Sequence, residues 1–394
     1  MSSHFHLEIN CQQLNYQNER ICGDVHLSKR IKEEGRIILV LSDGMGHGVK
    51  ANVLATLTAT MAVNFTAEHK EFEKIADIIM NTLPVCSQRQ ISYATFTIAD
   101  IETDGLVKIL EYDNPQSLLF RGSKQYIPQW NCIMMNTEKN KGKELLSCSF
   151  QPQKEDRIVI FSDGVAQSGM GSENLNFGWG EENISNFIRL QIEENPDISA
   201  RRLAMRIANK ANINDNYHSK DDTSCLVIYF REPRKLIVCS GPPFEKENDK
   251  KLSEAIENFD GRKIICGATT VNIVARELNL KVEDSFEFID PDLPPFSYME
   301  GIDLITEGIL TLGKVNEILK KYNNSYTIGL GPADQIVKNL LISDEITFVV
   351  GTAVNPAHQE PDLPLDLEIR RTVIRRIAKL LEEKFLKEVN LQFL

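Results

Sequence analysis

Residues 36–51, RIILVLSDGMGHGVKA, constrain the fold more than any other stretch of the chain. The unbroken apolar run at 37–41 has the pattern of a strand covered on both faces, since a strand with one wet face would alternate. Ser42-Asp43-Gly44-Met45-Gly46-His47-Gly48 then packs three glycines into five positions, and no ordinary strand or helix continues through it. After Lys50 the sequence ANVLATLTATMAVNF is rich in alanine and apolar residues and predicts a buried helix. Asp43 is therefore expected at the end of a rigid strand, on a loop whose backbone can approach a ligand closely.

Other aspartates share this setting. Gly23-Asp24-Val25 lies just upstream, beside a strand-like segment. Far downstream, RIVIFSDGVAQ repeats the pattern, an apolar run at 158–161 followed by Ser162-Asp163-Gly164. HSKDDTSCLVIYF sets Asp221 and Asp222 directly before another apolar run at 225–230. One Asp-Gly at a strand end is usually a turn, because both residues favour turns for backbone reasons. Four such sites, two of them spelled SDG, point to a shared purpose.

Composition narrows the function classes. A chain of 394 residues with 42% hydrophobic and 25% charged residues fits two or three globular domains. A net charge of −12, from 44 basic and 56 acidic residues, argues against broad binding to nucleic acid or anionic membranes. No apolar run reaches the length of a membrane span, and MSSHFHLEINCQQ lacks a basic region followed by an apolar core, so a cytoplasmic location is expected. The eight cysteines never form a C-x-x-C pair, which leaves zinc ribbons and thioredoxin-like motifs unsupported. Cys225, Cys239 and Cys266 sit inside apolar runs and read as reduced core thiols.

Strand patterns dominate the first half, in HFHLEIN, ISYATFTIADI, VKILEYDNPQSLLFRG and ELLSCSFQPQ. Helical sequence interrupts them at about 52–83 and 181–212. Strands in runs with helical pairs between predict an α+β fold, sheet on sheet with helices outside, over residues 1–232. From Arg234 strand and helix alternate, through KLIVCSG, DKKLSEAIENF, KIICGATT, VNIVARELN, SFEFID, GIDLITEG, TLGKVNEILKKY, DQIVKNLLI, EITFVVG, EIRRTVIRRIAKLLEEKFLK and VNLQF. That repeat predicts an α/β domain with a mainly parallel sheet over 233–394.

Clustered carboxylates without histidine or thiolate partners suit hard, oxygen-seeking cations, Mg²⁺ or Mn²⁺ rather than Zn²⁺. A pair of such ions can activate water and stabilise the oxygens of an in-line displacement at phosphorus. No cysteine lies in a phosphate-cradling loop, so a cysteinyl-phosphate route has no candidate nucleophile. A rival reading, strand then G-x-G-x-G then helix as a dinucleotide-binding turn, lacks the G-x-G-x-x-G spacing and leaves the later aspartates unexplained.

The ordered set Gly23-Asp24, Asp43-Gly44-Met45-Gly46-x-Gly48, Ser162-Asp163-Gly164-Val165 and Asp221-Asp222-Thr223-Ser224 resembles the metal-dependent protein phosphatases of the PPM class, in the branch of bacterial stage II sporulation protein E (SpoIIE). The resemblance covers roughly residues 5–231. It implies a β-sandwich flanked by helices and hydrolysis of phosphoserine or phosphothreonine by water activated between two Mn²⁺ or Mg²⁺ ions, without a covalent intermediate. Carried over by motif, Asp24 and Asp43 bind the metal pair, the Gly44 carbonyl adds a ligand, and Asp163 and Asp221 complete the second ion's shell. Asp222 is their neighbour, outside that set. His47 reads as a packing residue, Lys50 as a helix-start residue, and Arg20 is one position off the arginine that many eukaryotic members use for phosphate.

The implied partner is a phosphorylated protein, in the family an anti-sigma-factor antagonist-like regulator, with a homodimer as a further option. The alternative is a silent or gated phosphatase scaffold that binds a phosphoprotein or a ligand. For the second half the expectation is a regulatory or ligand-sensing role. There IICGATTVNIVARELN places Thr269 and Thr270 as N-cap candidates, with anion binding at the helix start as the other reading. The proline-rich stretches IDPDLPPFSYMEG and GTAVNPAHQEPDLPLD are expected near strand ends, the second with His358, Glu360 and Asp362 as a weak metal candidate.

Overall fold

A computed structural model describes residues 5–83, 94–102, 105–135, 137–138, 140–284, 296–322, 327–353, 365–385 and 387–394. SFEFID, His358, Glu360, Asp362, Cys86 and the prolines of both proline-rich stretches lie outside the described residues. The chain divides into two compact units, Met1–Glu232 and Pro233–Leu394.

The first unit runs β1 (His6–Leu14), β2 (Val25–Ile31), β3 (Arg36–Gly44), α1 (Gly48–Ala67), α2 (Phe72–Thr82), β4 (Ala94–Glu102), β5 (Val107–Tyr112), β6 (Leu118–Arg121), β7 (Lys124–Tyr126), β8 (Trp130–Met134), β9 (Glu144–Phe150), β10 (Asp156–Phe161), α3 (Asp163–Ala166), α4 (Glu181–Glu194), α5 (Ala200–Asn214) and β11 (Thr223–Arg231). Its strands make two antiparallel sheets, ordered β1-β11-β10-β6-β7 and β2-β3-β4-β5-β9-β8.

Alternation of side chains across the sheets explains the continuous apolar runs. Leu39 and Leu41 of β3 face inward with Ile158 and Ile160 of β10 and Leu226 and Ile228 of β11, forming the core between the sheets. The other face of β3, Ile38 and Val40, packs with Ala59, Ala62, Ile75 and Ile79 of α1 and α2. On the opposite side Val159, Phe161, Val227 and Tyr229 pack with Ile184, Ile188, Leu203 and Ile207 of α4 and α5. The result is a helix–sheet–sheet–helix sandwich, and its central strands have no wet face. β3 lies between antiparallel neighbours, so its glycine loop is not the turn of a parallel βαβ unit.

The second unit runs β12 (Lys235–Ser240), α6 (Asn248–Glu257), β13 (Arg262–Cys266), α7 (Ala268–Leu278), β14 (Val282–Asp284), β15 (Ser297–Met299), β16 (Ile302–Thr306), α8 (Ile309–Lys321), α9 (Pro332–Ile342), β17 (Glu345–Val350), α10 (Leu365–Glu383) and β18 (Glu388–Phe393). One sheet orders them β14-β15-β16-β13-β12-β17-β18, with the five strands from β16 to β18 parallel. Leu236 and Val238 of β12 face α8, α9 and α10, while Ile237 and Cys239 face α6 and α7. Helices on both faces again bury whole strands.

Candidate metal centre

Strand register brings the aspartates to one end of the sandwich in two pairs. Val25 of β2 stands opposite Ser42 of β3, so Asp24 and Asp43, one residue further along each strand, are neighbours. In the other sheet Phe161 of β10 stands opposite Cys225 of β11, and Ser162 N–H donates to the Ser224 carbonyl at 3.0 Å. Asp163 and the Asp221-Asp222 pair flank that last rung. Both SDG glycines are sterically required. A Cβ on Gly44 would stand 2.1 Å from the Ala51 carbonyl oxygen, and one on Gly164 2.2 Å from that of Asp222. Each glycine lets a neighbouring backbone close on its aspartate.

Four positions separated by almost 200 residues thus share one field. Asp24 is 2% exposed, and neither carboxylate oxygen has a hydrogen-bond partner among the described residues. The Ser162 and Ser224 hydroxyls lie close enough to draw its pKa down somewhat. They serve other groups: Ser162 Oγ accepts from Ser224 N–H at 2.9 Å, and Ser224 Oγ accepts from the Gln13 amide at 2.9 Å. Burial, with the charges of Asp222 and Asp163 adding to it, lifts the Asp24 carboxyl to about 7. Asp43 is raised well above the usual carboxylate range by desolvation and by Asp24, Asp163 and Asp221. Asp221 is pushed up to about 6 by burial and then by Asp163. A set of carboxylates that raise one another in this way lacks positive charge.

The donor set fits a hard divalent cation. Besides Asp24, one oxygen each of Asp163 and Asp222 is buried and unpartnered, while their others are held, Asp163 Oδ2 by the Gln167 amide at 3.0 Å and Asp222 Oδ1 by Tyr16 N–H at 2.9 Å. Ligands held on one oxygen and open on the other are oriented for a shared cation. As placed, no group of three or more His, Cys, Asp or Glu among the described residues stands together closely enough to hold an ion.

Asp222, left outside the ligand set by its sequence reading, is 1% exposed, and its charge is felt by Asp24. Asp113 was missed altogether. It follows β5 at φ +55°, and its carboxyl is raised by burial and by the nearby charge of Asp163. Asn114 beside it hydrogen-bonds the Thr95 and Thr97 hydroxyls on β4, fixing the turn. In sequence, YDNP reads only as a turn. His47 occupies the N-cap of α1, stacked on Tyr16 with ring centroids 4.1 Å apart, its Nδ1 2.9 Å from Glu19 Oε1. Arg20 and Lys50 are exposed.

The first unit is thus a helix-flanked double sheet with aspartates at the ends of its central strands. The family model described as "Stage II sporulation protein E (SpoIIE)" matches residues 33–231, half of the chain, and the chain belongs to that family. Among solved structures, the chain is similar to the phosphatase domain of the cell fate determinant SpoIIE from Bacillus subtilis at 14% identity, over 58% of this chain and 94% of that one, with a TM-score of 0.42. The SiaA-PP2C domain of Pseudomonas aeruginosa matches at 11% identity over 56% and 85%, with a TM-score of 0.44. The catalytic domain of the serine/threonine protein phosphatase PstP, in complex with two manganese ions, matches at 13% identity over 58% and 100%, with a TM-score of 0.37. No curated protein matches the chain. No helix among the described residues is long and apolar enough to cross a membrane.

Proposed function

We propose that the first unit, as the phosphatase domain 1–232, is a Mn²⁺- or Mg²⁺-dependent phosphatase acting on phosphoserine or phosphothreonine in a protein. The observation that carries this reading is Asp24, a nearly inaccessible carboxylate with both oxygens unpartnered, set among Asp43, Asp163 and Asp222. Asp24, Asp43, the Gly44 carbonyl, Asp163 and Asp221 would hold two ions. Bound there, such ions supply an activated water and offset negative charge on the phosphoryl oxygens. The chain's own part is orientation. Gln167 holds Asp163, and Tyr16 N–H holds Asp222.

The substrate we assign is a phosphorylated regulatory protein in the cytoplasm, of the anti-sigma-factor antagonist kind, and the second unit, 233–394, is assigned a regulatory or sensing role. The test is hydrolysis of p-nitrophenyl phosphate by metal-stripped protein titrated with Mn²⁺, beside Asp43→Asn. Turnover that rises with Mn²⁺ and is lost in the variant supports the reading. Failure to bind Mn²⁺ sinks it. The alternative is a gated or silent scaffold that binds without turning over. Bound Mn²⁺ without turnover would select that alternative.

A further inference from the structure

Three neighbouring parallel strands of the second unit end in one row. Register pairs Ser240 with Cys266 and Cys266 with Thr306, so the next residues, Gly241, Gly267 and Glu307, emerge side by side at the carboxyl edge. Two helices start there with the same G-x-x-T pattern. Gly267-Ala268-Thr269-Thr270 opens α7 and Gly308-Ile309-Leu310-Thr311 opens α8. In each the glycine is the N-cap and no side chain caps the helix, so Thr269 and Thr270 are not N-caps. The first N–H groups of both helices therefore lack the side-chain acceptor that such ends ordinarily recruit.

The two starts also face each other. A Cβ on Gly267 would stand 3.7 Å from Gly308 Cα and 3.7 Å from Thr270 Oγ1. Those are ordinary contact distances, so the glycine pair leaves room that side chains would fill. Gly267 itself needs glycine, at φ +113°.

Polar atoms without partners surround this point. Thr270 and Thr311 are 0% exposed and Ser240 is 1% exposed, and the hydroxyl of each has no hydrogen-bond partner among the described residues. Side chains on a helix tilt toward its N-terminus, which aims both third-position threonines back at the glycine pair. Glu307 Oε2 is likewise buried and unpartnered. Its carboxylate lies near Cys266, whose thiol is pushed up to about 12 by burial first and by Glu307 as well. Leaving so many polar groups unpaired at one edge costs free energy that a polar ligand would recover.

We infer that this edge binds a phosphorylated small molecule bearing hydroxyl groups, its phosphate at the starts of α7 and α8 and its hydroxyls on Glu307. Helix N-terminal N–H groups and threonine hydroxyls donate to phosphate oxygens, whereas a carboxylate only accepts. Open α/β sheets place ligands at this edge, near the point where strand order reverses. Here the parallel strands run β16-β13-β12-β17-β18, with the reversal between β12 and β17. The Arg370 guanidinium stands at that reversal, one strand over from Gly267, with Nη1 2.5 Å from where a Cβ on Gly241 would be.

The experiment is isothermal titration of the full chain in EDTA, so that the acidic centre of the first unit holds no metal to take up phosphate. The probes are inorganic phosphate, ribose 5-phosphate and ADP. At least one of the two organic phosphates is expected to bind, with affinity falling at least tenfold in Thr270→Val/Thr311→Val and returning in Thr270→Ser/Thr311→Ser. Glu307→Gln should weaken the organic phosphate and leave inorganic phosphate unchanged. Tighter binding of ADP would assign a nucleotide, and tighter binding of ribose 5-phosphate a sugar phosphate. No binding of any probe to folded protein would overturn the inference, as would binding indifferent to the valine pair. Tighter binding of every probe by Glu307→Gln would also overturn it, because the carboxylate would then only be repelling phosphate.

Discussion

The acidic end of the sandwich and the carboxyl edge of the parallel sheet are built alike but present different polar groups. Both set short polar motifs on glycine turns where buried strands stop, and both leave buried polar atoms unpartnered. In the first unit those atoms are carboxylate oxygens of Asp24, Asp163 and Asp222, and their mutual repulsion calls for a cation. In the second they include the hydroxyls of Thr270 and Thr311 at two helix starts, where the backbone dipoles favour an anion. Strand-end architecture supplies rigidity and close backbone approach. The sign of the ligand is set by which side chains occupy it.

The contrast is broken most sharply by Asp43→Asn. Its Mn²⁺-dependent turnover should fall by more than the roughly 10–100-fold that loss of a residue supporting a metal ligand costs, measured as kcat/KM on p-nitrophenyl phosphate. Next in size is pH dependence in the metal-free protein. Asp24 has a folded-state pKa of about 7 against the ordinary 3.8, so the folded form keeps its proton across that range. Its contribution is fully present below the unfolded value and is lost as pH rises through the folded one. Stability of the first unit should drop by about 1–4 kcal/mol between about pH 4 and pH 7, followed by denaturant melts. Saturating Mn²⁺ should flatten that slope.

Gly164→Ala should destabilise the first unit by about 1–3 kcal/mol in thermal unfolding, because its Cβ meets the Asp222 carbonyl and one backbone must shift. The smallest effect is expected from Thr270→Val without ligand. Removing an unpaired buried hydroxyl should change stability by less than about 1 kcal/mol, in either direction. A large loss would mean that the hydroxyl has a partner in the free protein, and the likeness between the two strand ends would fail.

Much of this was legible residue by residue. The run at 37–41 had no polar interruption because β3 is covered by α1 and α2 on one face and by the second sheet on the other. The helical content of 52–83 resolves into α1 and α2, whose buried alanines made it readable. β7 and β8 were not readable, being short, largely exposed and separated by Pro128. β14 and β15, three residues each, carry too little pattern to register. Thr269 and Thr270 suggested a cap from their place between strand and helix, but α7 begins at Ala268 with Gly267 as its N-cap.

The sequence alone determined which segments would be buried strands and that an Asp-Gly or Asp-Asp would stand at their ends, since periodicity and turn chemistry are local. It determined the family as well, through the order of those motifs. Only tertiary structure decided that Asp24 and Asp43 from one sheet meet Asp163, Asp221 and Asp222 from the other, that Asp113 joins them, and that α7 and α8 start face to face. Proximity between residues far apart in the chain comes from strand register and sheet stacking. Those depend on every packed side chain at once and leave no mark on the few residues that finally meet.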